Sequence, residues 1–428
     1  MIGRVKEKRM AKKSVYAALE ISDHEVRLVV SEIFNDRSNI LRVERVEHNG
    51  IRNARITDEK AVADAIETAV RQAQTALGYR IERVLLAIPA RNVRPVNNKV
   101  HVEIEDGTHT IRRFHIQQGL KSALGAQKFE NEELVNVNRI ECFVDGARQD
   151  KIPLGKDTES FDMEVDLLYA DKDIVYSYAA AVEKAGLQIL DLVLDVYGAA
   201  KETGALSQSA DKPVILIDLE AEHTTLAFLI ENKIAFTTTL DKGYRSFIQT
   251  LQEEYGLSDE TAWRLLENLF ESREMDTQDV VIYIEQQEDK RIEITSRQLA
   301  DAVLPKIRSW IADINAGCAK ILESMPARYL ITGQGANIPV LKNFCSGFNA
   351  PASVYAISTI GARNGAFVCD LGMIYSWMDS KQYNNRGDQT SVNNNELEES
   401  IESITRYAKD AEGGFTRKLK KAMLANKE

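Results

Sequence analysis

Residues 14–30 read SVYAALEISDHEVRLVV, and residues 214–230 read VILIDLEAEHTTLAFLI. Each stretch is an apolar, β-branched run, a short polar turn and a second such run, which is a hairpin signal. A third alternating strand follows each of them, at Ile40–Glu47 and at Ile234–Leu240. A repeat of the same strand–turn–strand–strand opening is an internal duplication. It predicts an α/β protein of two similar lobes facing a cleft, each offering to that cleft a turn whose backbone N–H groups can meet an anion.

Outward from the first hairpin, a helix is predicted over Thr57–Leu77, capped by Thr57 and lined on one face by Ala61, Ala65, Ala69 and Ala73. Arg83–Pro89 is a short buried-type strand, and from Asn92 to about Phe161 the texture becomes that of a small α+β insert. A strand at Asp162–Tyr169, a helix at Asp171–Ala185 closed by Gly186, and a strand at Leu190–Leu194 return the chain to the first lobe. After the second hairpin come helices at Tyr244–Glu254 and Ser258–Phe270, a hairpin at Val280–Thr295, and a long helix from Ser296 to about Leu322. A strand at Arg328–Thr332 then runs into Gly333-Gln334-Gly335. The expected organisation is a first lobe at 14–91 and 162–212 with a return near 352–378, an insert at 92–161, and a second lobe at 213–351 with a smaller part at about 244–295. A linker at 379–412 and a terminal helix at 413–428 complete it.

Composition narrows the function. A formal charge of -11 argues against broad nucleic-acid binding, which needs an electropositive footprint. No stretch approaches the roughly 18–20 apolar residues of a membrane-spanning helix. Cys142, Cys318, Cys345 and Cys369 form no CxxC pair and no signal-peptide core precedes them, so a reducing cytoplasm is the expected setting. The basic opening (MIGRVKEKRMAKK) leaves Met10 as a second reading of the start.

Three stretches carry a resemblance to a known family. The first is Glu141–Gly155 (ECFVDGARQDKIPLG), leading through Met163–Asp166 to Val182–Leu194 (VEKAGLQILDLVL); the second is Tyr329–Leu341 (YLITGQGANIPVL); the third is the ending GGFTRKLKKAMLANKE. With them the chain resembles the actin, Hsp70 and sugar-kinase group, and within it the bacterial cell-division FtsA family, whose extra subdomain sits where 92–161 falls here. The resemblance implies a two-lobed actin-like fold of duplicated ribonuclease-H-like lobes with an inserted α+β subdomain, then a flexible linker and an amphipathic helix. It also implies ATP and magnesium in the cleft, self-association into filaments, binding of the FtsZ C-terminal peptide near 244–295, later division proteins as partners, and the cytoplasmic face of the membrane at the division site.

The phosphate turns depart from that family. Its first loop reads Asp-Ile-Gly-Thr, where this chain has Glu20-Ile21-Ser22-Asp23; its second reads Asp-Ile-Gly-Gly-Gly-Thr-Thr, where this chain runs from Asp218 through Glu220, Glu222 and His223 to Thr224 and Thr225. Glycine lets backbone approach phosphate closely. Side chains at Ser22, Glu220 and Glu222 obstruct that approach, and like charges about 4 Å apart cost about 4 kcal/mol at an effective dielectric near 20. The candidate nucleotide residues are therefore Ser22, Asp23, Asp218, Thr224, Thr225, Gly333, Gln334 and Gly335, with Arg264 keeping the positive charge of the family's Ala-Glu-Lys helix. Two readings of the cleft stand: one holds ATP, with a magnesium ion among the acids, and the other is empty with solvated turn carboxylates. Hydrolysis is not expected from either. His24 and His223 sit in the two turns and read as turn residues rather than ligands.

If the last residues are helical, Phe415, Leu419 and Met423 stack on one face and Arg417, Lys418, Lys420 and Lys421 flank it. That is the pattern of an interfacial helix on anionic lipid. The first expectation is thus a filament-forming scaffold that tethers FtsZ to the membrane. An actin-like ATPase and a PilM-type assembly platform are the alternatives.

Overall fold

The computed structural model describes residues 13–35, 37–268, 279–287, 290–381, 383 and 389–393. Strands β1 (Ser14–Ile21), β2 (Glu25–Phe34) and β3 (Arg37–Glu47) form an antiparallel meander. A two-residue hairpin, β4 (Ile51–Arg52) and β5 (Arg55–Ile56), leads into α1 (Glu59–Leu77). Asp58, not Thr57, caps that helix, its carboxylate accepting from Ala61 N, while Thr57 N bonds Gly50 O. Strand β6 (Arg83–Ile88) lies parallel to β1.

The insert follows as β7 (Arg94–Glu103), α2 (Arg113–Gly125), β8 (Glu132–Val144), β9 (Ala147–Gln149) and β10 (Ser160–Asp171), in a four-stranded sheet ordered β7-β10-β8-β9. Strand β10 stays paired with β7 as far as Tyr169, so the sheet of the insert runs past the boundary expected at 161. The chain then returns through α3 (Lys172–Lys184), β11 (Gln188–Leu194), α4 (Asp195–Glu202) and α5 (Ala205–Gln208).

The second lobe opens with β12 (Val214–Leu219), β13 (Thr224–Ile230) and β14 (Lys233–Leu240), then α6 (Arg245–Tyr255) and α7 (Asp259–Glu267). A hairpin of β15 (Val281–Gln287) and β16 (Lys290–Thr295), the long α8 (Ser296–Ser324), β17 (Arg328–Thr332) and β18 (Ala352–Val354) complete it, and α9 (Val368–Ser380) returns to the core of the first lobe. The two large sheets are ordered β11-β6-β1-β2-β3 and β18-β17-β12-β13-β14, with parallel and antiparallel pairings in the same places. The duplication read from two hairpins therefore extends to all five strands of each sheet.

Every residue of β12 is buried, which explains its unbroken apolar run. Val214 and Leu216 join the core of the first lobe, while Ile215, Ile217 and Leu219 join that of the second. The helices α4 and α9 cross at two glycines: a Cβ on Gly372 would stand 1.7 Å from Gly198 O. No larger residue fits that contact.

Within the segment expected to be a linker, residues 389–393 are bound to the first sheet. Ser391 is fully buried; its N–H donates to Val15 O (2.9 Å), its Oγ accepts from Ala17 N (2.7 Å) and its carbonyl accepts from Glu82 N (2.8 Å) and Arg83 N (3.1 Å). Val392 bridges Ile81 in antiparallel fashion. This strap fills the gap between β1 and β6 on the side away from the cleft. The terminal residues 413–428, with Phe415, Arg417, Lys418, Leu419, Lys420, Lys421 and Met423, lie outside the described residues. Among the described residues no helix is long and apolar enough to cross a membrane. All four cysteines are free.

Candidate functional site

The topology brings the β1–β2 turn of one lobe against the β12–β13 turn of the other. Both turns close on themselves. The Ser22 hydroxyl donates to Glu25 O (3.0 Å) and accepts from Glu25 N (3.2 Å), and Glu220 N donates to His223 O (3.0 Å). The amides that begin the next helix are also engaged, Tyr244 N on Glu220 O and Arg245 N on Ala221 O, both at 2.9 Å. Gly243 permits this contact, because a Cβ there would lie 2.2 Å from Glu220 O.

Between the turns lies Arg27, which projects from β2 with its side chain 1% exposed. Its five N–H groups meet five acceptors: Nε on Glu25 (2.7 Å), Nη1 on Glu20 and on Ala366 O (both 3.3 Å), and Nη2 on Glu220 (2.6 Å) and Gln334 (2.9 Å). The other Glu220 oxygen accepts from Gln334 N at 2.9 Å. Glu220 is thus a bridge between the lobes and the Gly333–Gly335 loop, and not the solvated or repelling turn residue expected of it. Glu222 differs: it is 41% exposed and pairs with Arg245.

A second contact crosses the cleft where His223 Nδ1 meets Asp23 Oδ2 at 2.9 Å. Burial alone would raise Asp23, but the hydrogen bond and charge of His223 hold it below its ordinary value. Burial would lower His223, and Asp23 raises it above the ordinary imidazole range. Both histidines had been read as plain turn residues; His223 is instead an interlobe partner. Burial of Glu25 is likewise overcome by Arg27 and Arg45, which bring it down to about 2.

Around Arg27 sit carboxyls that burial raises above their ordinary values. Glu20 is pushed up to about 8 by burial against the pull of Arg27, and Asp195 to about 6 by burial. Burial raises Asp218 and Asp370 well above the ordinary range, and among the described residues Asp218 Oδ1 and both Asp370 oxygens have no hydrogen-bond partner.

The structure brings Ser22, Asp23, Asp218, Gly333, Gln334 and Gly335 together at this cleft. Gly333 has φ +84°, and a Cβ on it would press Asp218 Oδ1 at 2.5 Å. Thr224 and Thr225 stand at the start of β13, but the Thr224 hydroxyl is engaged, donating to Lys242 O (2.7 Å) and accepting from Trp310 Nε1 (2.9 Å). Arg264 is exposed on α7 and does not line the cleft, whereas Asp259, Glu260 and its neighbour Trp263 of that helix do. Arg27 was missed altogether. Its signal was one cation inside the buried run Glu25–Ser31, which no strand buries without a counter-charge.

The space enclosed between the two turns is small. The chamber walled by Ser22, Asp23, Asp195, Asp218, Glu220 and His223 measures about 20 Å3, room for about one water molecule. Among the described residues no group of three or more His, Cys, Asp or Glu side chains is placed to hold a metal ion.

No family model matches the chain. Among curated proteins it is 23% identical to the cell division protein FtsA of Streptococcus pneumoniae over 367 residues, covering 84% of this chain and 79% of that one. It is 24% identical to FtsA of Enterococcus hirae over 371 residues (85% and 83%) and 22% identical to FtsA of Bacillus subtilis over 385 residues (85% and 84%). Among solved structures, the PilM-PilN type IV pilus biogenesis complex aligns with a TM-score of 0.54 at 13% identity, over 84% of this chain and 98% of that chain, a likeness of fold. With its duplicated sheets, its insert in the first lobe and these relatives, the chain is a divergent FtsA-like protein of the actin-like fold.

Proposed function

We propose that this chain is a cell-division scaffold that self-associates, binds the C-terminal peptide of the tubulin-like protein FtsZ and holds it to the cytoplasmic face of the membrane. Its cleft is braced by its own side chains in place of ATP and magnesium. The FtsA relatives support the division role, and the actin-like architecture supports the polymerising scaffold. The observation that carries the cleft reading is Arg27 bonded to Glu220 across the lobes at 2.6 Å, where a phosphate and its counter-ion would otherwise be needed.

The membrane foot is 413–428, whose five cations each add about 1 kcal/mol near an anionic surface. One such foot binds reversibly. Many on one filament bind firmly through effective concentration. FtsZ peptide binding is assigned to the region near 244–295, and later division proteins are further partners.

The test is co-sedimentation with anionic liposomes of the full chain, a chain ending at Glu412, and the full chain carrying Phe415→Glu, each with and without ATP. Pelleting of the full chain alone, unchanged by ATP, is the expected result. Equal pelleting of all three removes the foot, and pelleting that needs ATP removes the braced cleft.

A further inference from the structure

Outside the closed turns, the cleft opens into a recess of about 740 Å3, in the size range of small-molecule sites. Its wall on the second lobe is aromatic: Tyr244 and Trp263 lie with ring centroids 4.3 Å apart. Tyr244 is 4% exposed. His24 Nδ1, on the opposite wall, is buried without a hydrogen-bond partner among the described residues.

The charges lining the recess are unbalanced. Arg45 is held by Glu25 at 2.8 and 2.9 Å, and Arg245 by Glu222 and Asp259. Both guanidiniums are therefore already neutralised. Glu47 on the first lobe and Glu260 on the second remain as carboxylates with no ion pair or hydrogen bond among the described residues, facing one space. His24 adds no positive charge, since burial pushes it down to about 4. An aromatic face with free carboxylates on either side, and no free cation in its lining, is complementary to a positive ligand.

We propose that this recess binds a small organic cation bearing a guanidinium or ammonium group. The cation lies over Trp263, and Glu47 and Glu260 hold it from the two lobes. The Tyr244 hydroxyl donates or accepts according to the polar atoms the ligand carries, and His24 Nδ1 accepts. Because the carboxylates belong to different lobes, an occupied recess draws the mouth of the cleft together. The inference stands apart from the division role and needs no nucleotide.

Of the three tryptophans, Trp310 and Trp377 are 0% and 1% exposed, so fluorescence change on ligand addition reports on Trp263. Agmatine titrated into the full chain at low salt is expected to give a saturable change. The double variant Glu47→Gln/Glu260→Gln, both at exposed positions, is expected to keep its unfolding midpoint and to weaken agmatine binding about five- to tenfold, as two partly exposed ion pairs imply. Calorimetry on Trp263→Ala is expected to show binding lost. Adenosine is the competing probe. Saturable adenosine binding without agmatine binding overturns the proposal, as does no binding of either. Agmatine binding that the double variant leaves unchanged overturns it too.

Discussion

Arg27 Nη2 donates to Glu220 at 2.6 Å from one lobe to the other, with the two side chains 1% and 8% exposed. Neither group is stable alone in that place, since a buried charge without its partner carries several kcal/mol of desolvation.

Arg27→Ala leaves Glu20, Glu25 and Glu220 facing each other and is expected to destabilise the chain by about 3–5 kcal/mol, read by chemical denaturation. Glu220→Gly acts differently, because it frees Arg27 Nη2 and Gln334 N as donors at the mouth of the chamber. It should raise ATP affinity in calorimetry. Glu222→Gly should leave that affinity at the parent level, its carboxylate being exposed and already paired. Equal effects of the two changes would mean that net charge at the turn matters and the bridge does not.

The cleft has a pH signature of definite sign. Glu20 has a folded value raised to about 8, so its contribution is present at low pH and is lost as pH rises towards 8. His223, also raised, loses its contribution as pH climbs past the ordinary imidazole value, while lowered Asp23 holds its own throughout this range. Unfolding stability is therefore expected to fall from pH 6 to pH 8, at up to about 1.4 kcal/mol per pH unit for each proton released. Glu20→Gln should flatten the slope, as measured by denaturant midpoints at pH 6, 7 and 8. A slope identical to that of the parent chain would show that Glu20 ionises normally.

Ser391→Ala removes the acceptor of Ala17 N and leaves a buried donor unpaired, at a cost of about 1–3 kcal/mol. Amide hydrogen exchange at Ala17 should accelerate in that variant while exchange in β12 stays slow. Unchanged protection at Ala17 would mean that the strap is not needed there.

The parts of the fold that repeat were legible because strand periodicity and turn composition are local. The run VILID at 214–218 announces a strand buried on both faces without reference to anything else. The brace was not legible, because Glu220 and Arg27 stand 193 positions apart and only the folded pairing turns two costly side chains into one satisfied group. Residue Trp263 was passed over for Arg264 because a shift of one position on a helix moves a side chain about 100° around its axis. The strap hid in an Asn-rich stretch whose composition signals an extended, polar linker. Ser391 and Val392 find backbone partners at the end of a sheet, and no hydrophobic pattern marks them. Thr57 lost the cap to Asp58 because its own N–H and hydroxyl turn back to Gly50 O.

Mechanically, the seat of Ser391 decides where tension on the chain's end would be borne. A pull on the residues beyond Asn393 reaches the central sheet through Val15, Ala17, Glu82 and Arg83 before it reaches either hairpin turn. The leash is moored at the far end of β1, the strand whose other end carries Glu20.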